Sequence, residues 1–210
     1  MKSWIKQIGC FCLCMFGCLL SVEAQENQVY EIPFDKGTLL LTPLQDNAVR
    51  IRYVEGEMKE LPEWVYVQTD NNDIKCKRKD TKAGVSLKLK QMNVIVDQQA
   101  KLLTATDRDG NVVFKAKAHE LNAATVQHEP SRDATLVIES PADEYLYGLG
   151  QFQDGYLNVR GLTRRLTQVN TQIAIPFLLS NKGYGLLWNN YGLTNFNPTT
   201  GKGISKYRIT

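Results

Sequence analysis

From residue 28 onward the chain reads as an antiparallel all-β sandwich, and three features lead there. Short runs rich in Val, Ile, Leu and Thr recur at close spacing, clusters of Gly, Asn and Asp punctuate them, and no window carries a helical period. The first runs are "TLLLTPLQDNAVRIRYV" (38–54), two strands about a turn at Gln45, Asp46 and Asn47. In the second of them Val49, Ile51 and Tyr53 alternate with Arg50 and Arg52, which predicts one buried and one wet face. "VSLKLK" (85–90), "NVIVDQ" (93–98), "KLLTATD" (101–107) and "NVVFKAK" (111–117) follow as a meander, with "DRDGN" (107–111) as a tight hairpin turn. Asp107, Asp109 and Asn111 suggest a calcium loop, but Gly110 comes too early and the twelfth position is Ala118 where a bidentate Glu is needed.

The stretch "AHELNAATVQHEPSRDA" (118–134) is polar and without period, so it reads as a loop or weakly paired segment ahead of the strands "TLVIES" (135–140) and "EYLYGLG" (144–150). His119 and His128 lie in it without Cys, His or Glu at ligand spacing and read as surface histidines. Neither a metal nor a cofactor is expected.

The 210 residues, 43% of them hydrophobic, suffice for one sizeable core. Residues 1–24 are set aside from it. Lys2 and Lys6 precede an apolar run, "IGCFCLCMFGCLL" (8–20), which is short for a bilayer, and "VEA" (22–24) supplies small residues for cleavage before Gln25. The expectation is a cleaved secretory signal, a secreted or periplasmic domain over 25–210, and no membrane span after cleavage. A lipid anchor on Cys18 is less favoured, because Met15 and Phe16 fit the small-residue context poorly. Four of the five cysteines fall in the signal, which leaves Cys76 alone and excludes an intrachain disulfide framework. The whole chain carries a net charge of +3 and, without Lys2, Lys6 and Glu23, about +2. The basic cluster "KCKRKD" (75–80) has no interleaved aromatics and reads as a solvated strand face, so no nucleic-acid partner is expected.

"YGLGQFQDG" (147–155) concentrates glycine beside aromatic rings. It is no dinucleotide fingerprint, because Gly148, Gly150 and Gly155 have the wrong spacing and no helix start comes after them. Taken with "NTQIAIPFLLS" (170–180) and "KGYGLLWNN" (182–190), it resembles the N-terminal domain of glycoside hydrolase family 31, the α-glucosidases and α-xylosidases, especially secreted bacterial members. The likeness spans about 28–198 and is most specific over 144–198.

The resemblance implies a galactose-mutarotase-like β-sandwich ahead of a (β/α)8 barrel that supplies two catalytic aspartates for retaining hydrolysis of α-glycosides. Retaining chemistry needs two carboxyl groups about 5 Å apart. The family's W-x-D-M-N-E-like nucleophile string does not occur here, and Asp143 and Asp154 read as turn acids, so no catalytic residue is assigned and the domain is expected to be incomplete at its C-terminus. In the family the loop after the Y-G-L-G strand reaches the barrel mouth. Carried over, Asn170, Gln151 and Phe152 become the candidate substrate-binding residues, and an α-linked oligosaccharide or glycoside and the missing barrel become the partners. The competing reading makes Gln168, Asn170 and Gln172 the wet face of one strand. A free-standing secreted carbohydrate-binding module is the alternative function, and "GKGISKYRIT" (201–210) reads as the start of a further strand.

Overall fold

The computed structural model describes residues 28–57, 62–65, 74–198 and 206–209. The signal expected over 1–24 lies outside them.

Among the described residues the chain is all strand and turn, in three antiparallel sheets. The first is a meander of β1 (Tyr30–Phe34), β2 (Gly37–Gln45) and β3 (Ala48–Val54). The second begins as a longer meander, β4 (Lys77–Asp80), β5 (Gly84–Lys88), β6 (Met92–Asp97), β7 (Leu102–Asp107), β8 (Val112–Val126) and β9 (Glu129–Glu139). It continues past β9 through β15 (Lys206–Ile209) and β14 (Thr194–Pro198) to β11 (Arg164–Leu166), nine strands in all. The third places β12 (Ile173–Ser180) between β10 (Leu146–Gln151) and β13 (Gly185–Leu187). One core joins them: Ile32, Leu39 and Leu41 from the first sheet, Val96, Leu103 and Ile138 from the second, and Leu146 and Leu178 from the third are all buried in a single cluster. Each such side chain contributes roughly 1.5–3 kcal/mol by leaving water, and alternate residues along each strand deliver them to one face.

The Asp107 turn forms as expected, between β7 and β8, and its carboxylate organises it. Oδ1 accepts the backbone N–H groups of Asp109 and Asn111, both at 2.9 Å, and Oδ2 accepts from Asn111 Nδ2 at 2.8 Å. These bonds hold the Asp107 carboxyl below its usual range. The basic cluster supplies β4, an exposed, charged edge strand that discourages edge-to-edge pairing. Cys76 sits half-buried just before it, and burial pushes its thiol up, away from reactivity.

Three expectations are corrected. Residues 118–134 are no loop: β8 and β9 stay paired out to Val126 and Glu129, closed by Gln127 and His128 at φ 51° and 70°. That is the geometry of a tight hairpin turn built without glycine. Secondly, β3 does not alternate cleanly, since Ile51 is exposed while Arg50 is half-buried and bonded to Glu63 at 3.0 Å. A neighbouring segment covers the face that the pattern assigned to water. Thirdly, His119 is no surface histidine. Its ring packs against Phe34 at 5.5 Å and Tyr53 at 6.1 Å, and its Nδ1 is sealed from solvent without a partner. Desolvation lowers its pKa to about 4.

Candidate functional site

The site is built on the irregular pairing of β10 with β12. Gly148 pairs with Leu178 but Gly150 pairs with Ala174, so Ile175, Pro176 and Phe177 face Leu149 alone. Such a bulge bends the strand and re-aims the residues beyond it. Pro176 suits it, having no N–H to pair, and its carbonyl accepts the Trp188 N–H at 2.8 Å. On the β10 side, Gly148, Leu149 and Gly150 run at φ 108°, 65° and 101°. Leu149 tolerates its left-handed backbone because the twist turns its side chain inward, among Leu166, Leu178, Trp188 and Phe196. A Cβ on Gly148 would lie 2.4 Å from the Phe177 carbonyl oxygen, and one on Gly150 would lie 2.0 Å from that of Ile173. The bare backbone of "YGLG" is therefore required by a neighbouring strand of its own sheet.

Past the bulge, Gln151 pairs with Ile173 and is exposed. Phe152 turns half inward against the core, with the Arg164 guanidinium 4.7 Å over its ring and ion-paired to Asp154. Arg164 is a residue that sequence reasoning missed. Its one signal is the adjacent pair Arg164–Arg165, four residues after Arg160 in a stretch without acids. The loop then returns to the sheet: the Val159 N–H donates to the Leu146 carbonyl at 2.8 Å, and Asn158 Oδ1 accepts from Leu146 N and Arg160 N, each at 3.1 Å. Tyr156 and Leu157 stay exposed at its tip.

The second arm is neither a simple extension of the loop nor the wet face of a strand. Val169 and Gln172 bridge across a tight turn with Asn170 and Thr171 at its tip, so Gln168, Asn170 and Gln172 do not share one strand face. Gln168 Oε1 accepts the Ala174 N–H at 3.1 Å, and Gln172 Nε2 donates to the Thr167 carbonyl at 2.7 Å. Those two amides brace the turn. The Asn170 amide is exposed and, among the described residues, has no hydrogen-bond partner; the same holds for Gln151. Since Gln151 lies opposite Ile173 and the turn ends one residue before it, both amides reach the same end of the third sheet. Asp143 forms an ion pair with Lys182, whose hydrogen bond keeps its carboxyl below the usual range, and Asp154 forms one with Arg164.

Glu144 is a further residue the sequence did not mark. It is 1% exposed and accepts from Ser180 Oγ at 2.6 Å and Tyr184 Oη at 2.8 Å, locking the opposite end of β10 to β12. The outward face of this sheet is apolar: Ile173, Ile175, Phe177, Leu179 and Leu187 are each at least 39% exposed.

Comparison with known proteins places this architecture. Residues 38–197 match the glycosyl hydrolase 31 N-terminal galactose mutarotase-like domain. An α-xylosidase of Saccharolobus solfataricus is 30% identical over 166 residues, covering 71% of this chain and 22% of its own length. An uncharacterized family 31 glucosidase of Pseudescherichia vulneris is 46% identical over 56 residues, which is 27% of this chain and 11% of that protein. The crystal structure of a GH31 α-xylosidase from Xanthomonas citri superposes with a TM-score of 0.73 at 22% identity, covering 82% of this chain and 19% of the other. A soil-metagenome GH31 α-xylosidase complexed with xylose gives the same score and identity over 88% and 31%. The matched portion of this chain is thus a small share of each relative, and it is the sandwich. The chain belongs to glycoside hydrolase family 31, carrying that family's N-terminal galactose mutarotase-like domain.

Proposed function

We propose that this domain forms one wall of the sugar site of an exported α-glycosidase of the α-xylosidase or α-glucosidase kind, and that the catalytic carboxylates stand on a (β/α)8 barrel outside these 210 residues. The observation that carries the proposal is the division of labour among four amides. Gln168 and Gln172 are spent on the turn, whereas Gln151 and Asn170 reach one end of the third sheet with their hydrogen-bonding capacity free. Amides that both donate and accept suit sugar hydroxyls. The α-xylosidase and glucosidase names of the relatives support an α-glycoside as the ligand, and their greater length leaves room for a catalytic domain. The apolar face led by Phe177 and Leu179 suits burial against such a domain.

In the barrel-bearing enzyme, Asn170→Ala is expected to weaken sugar binding by about 1–3 kcal/mol, the cost of leaving a buried partner unpaired. It should raise KM for an aryl α-xyloside or α-glucoside while Tm barely moves. A loss of stability with unchanged kinetics would return Asn170 to the sandwich as a mere turn former. For export, sequencing of the mature protein is expected to begin at Gln25, after the small residues of 22–24. A mature chain that retains Met1 in the cytoplasm would overturn it.

A further inference from the structure

Among the described residues Trp64 is the most exposed large hydrophobic side chain, at 79%, yet its position is tightly determined. Its ring stacks on Tyr191, with centroids 5.9 Å apart and planes 24° from parallel. The Tyr191 hydroxyl accepts the Trp64 backbone N–H at 3.1 Å and donates to the Pro62 carbonyl at 2.8 Å, tying together residues 127 positions apart. Beside the rings, Glu63 is held at both oxygens. Asn189 Nδ2 donates to Oε1 at 3.1 Å and to Oε2 at 2.9 Å, Arg50 donates to Oε2 at 3.0 Å, and the Val65 N–H donates to Oε1 at 3.2 Å. An ordinary surface tryptophan has no such frame. Leaving this much aromatic area in water forgoes roughly 25 cal/mol for each Å² that a partner could cover.

The polar rim indicates what kind of partner fits. With its Nδ2 committed to Glu63, Asn189 has its Oδ1 left as an acceptor, and with its Oδ1 committed to the Gly192 N–H at 2.9 Å, Asn190 has its Nδ2 left as a donor. A flat aromatic surface bordered by one free acceptor and one free donor is complementary to a pyranose. The ring C–H faces of a sugar stack on aromatic rings while its hydroxyls, each donor and acceptor at once, reach the rim. A purely apolar partner would leave those amides unsatisfied. The chain leaving β13 runs antiparallel to β12, with the Trp188 N–H on the Pro176 carbonyl, and so carries Tyr191 toward the Ile173 end of the sheet.

We infer that Trp64 and Tyr191 form a stacking platform for a pyranose unit of an α-linked oligosaccharide, with Asn189 and Asn190 contacting its hydroxyls. This rests on the reading of that sheet end as sugar-facing, but on different residues, so the two can fail separately. The platform should bind in the 210-residue chain itself. Maltoheptaose and an α-xylosyl-bearing xyloglucan heptasaccharide are titrated against the chain, followed by tryptophan fluorescence and calorimetry. At least one is expected to bind saturably. Trp64→Ala is expected to weaken that binding about tenfold or more, since aromatic anchors dominate such contacts, while Val112→Ala, at an exposed apolar residue of the second sheet, leaves it within about twofold.

Because Trp64 is exposed, Trp64→Ala should keep the wild-type circular dichroism and Tm. Tyr191→Phe, which keeps the ring but loses both hydroxyl bonds, should weaken binding less than Trp64→Ala does. Three outcomes would overturn the assignment: neither oligosaccharide binds, binding survives Trp64→Ala, or Trp64→Ala abolishes self-association of the chain while sugar binding never appears. An unchanged KM on Asn170→Ala in the barrel-bearing enzyme would instead strike only the proposed function.

Discussion

Gly150→Ala is expected to cost the domain about 3 kcal/mol or more and to lower its melting temperature by roughly 10 °C. Two penalties combine. At φ 101° an L side chain already forfeits about 1–2 kcal/mol. In addition the new Cβ would sit 2.0 Å from the Ile173 carbonyl oxygen, a backbone atom that moves only if β12 moves. Relief therefore means prising β10 from β12 at the bulge, which withdraws Leu149 from the core and displaces Gln151 together with the Asn170 turn. Thermal unfolding checks the first part. Should Gly150→Ala melt within a degree or two of wild type, β10 and β12 do not approach each other this closely at the bulge. In a barrel-bearing enzyme the same substitution should impair sugar binding more than Asn170→Ala does, because it moves both amides at once.

The second large effect is on pH. His119 is folded with its pKa lowered to about 4, against 6.5 for an exposed histidine, because Phe34 and Tyr53 strip its ring of water. The neutral form is thus the one the fold accepts. Above pH 6.5 neither the folded nor the unfolded chain protonates it, and its contribution is fully present. Between 6.5 and about 4 the unfolded chain takes a proton that the folded chain refuses, so stability falls as pH falls, and below about 4 this contribution has gone. At 1.36 kcal/mol per pKa unit the ceiling on the loss is about 3 kcal/mol. Denaturant unfolding at intervals from pH 7.5 to 4 is expected to show this slope, and His119→Phe, which keeps an aromatic ring beside Phe34 and Tyr53, is expected to flatten it. The lowered carboxyls of Asp107 and Asp143 add their own losses mainly toward the acid end of that range. A slope unchanged in His119→Phe would show that other groups carry the pH dependence.

The contrast between what was legible and what was not tracks the range of the interactions. The meander from Gly84 to Lys117 could be read residue by residue, because one face of each strand is buried and alternation records it. The outer halves of β8 and β9 are exposed on both faces, and their turn takes positive φ at Gln127 and His128 without glycine, so neither cue survived and the segment read as loop. The burial of His119 has no local cue, because Ala118, Glu120, Leu121 and Asn122 around it follow no period, whereas the rings that bury it come from β1 and β3.

The candidate site divides in the same way. Gln151, Phe152 and Asn170 could be named from motifs, but their situations differ for reasons no motif states. Arg164 caps Phe152, Gln168 and Gln172 are consumed by the turn, and Gln151 and Asn170 are left free. Local order thus determined the strands, the turns and the family resemblance, since backbone preference and side-chain alternation act over a few residues. Which amides are free, why glycine is required at 148 and 150, and that Trp64 meets Tyr191 were settled only when distant strands paired, because each depends on an atom supplied from elsewhere in the chain.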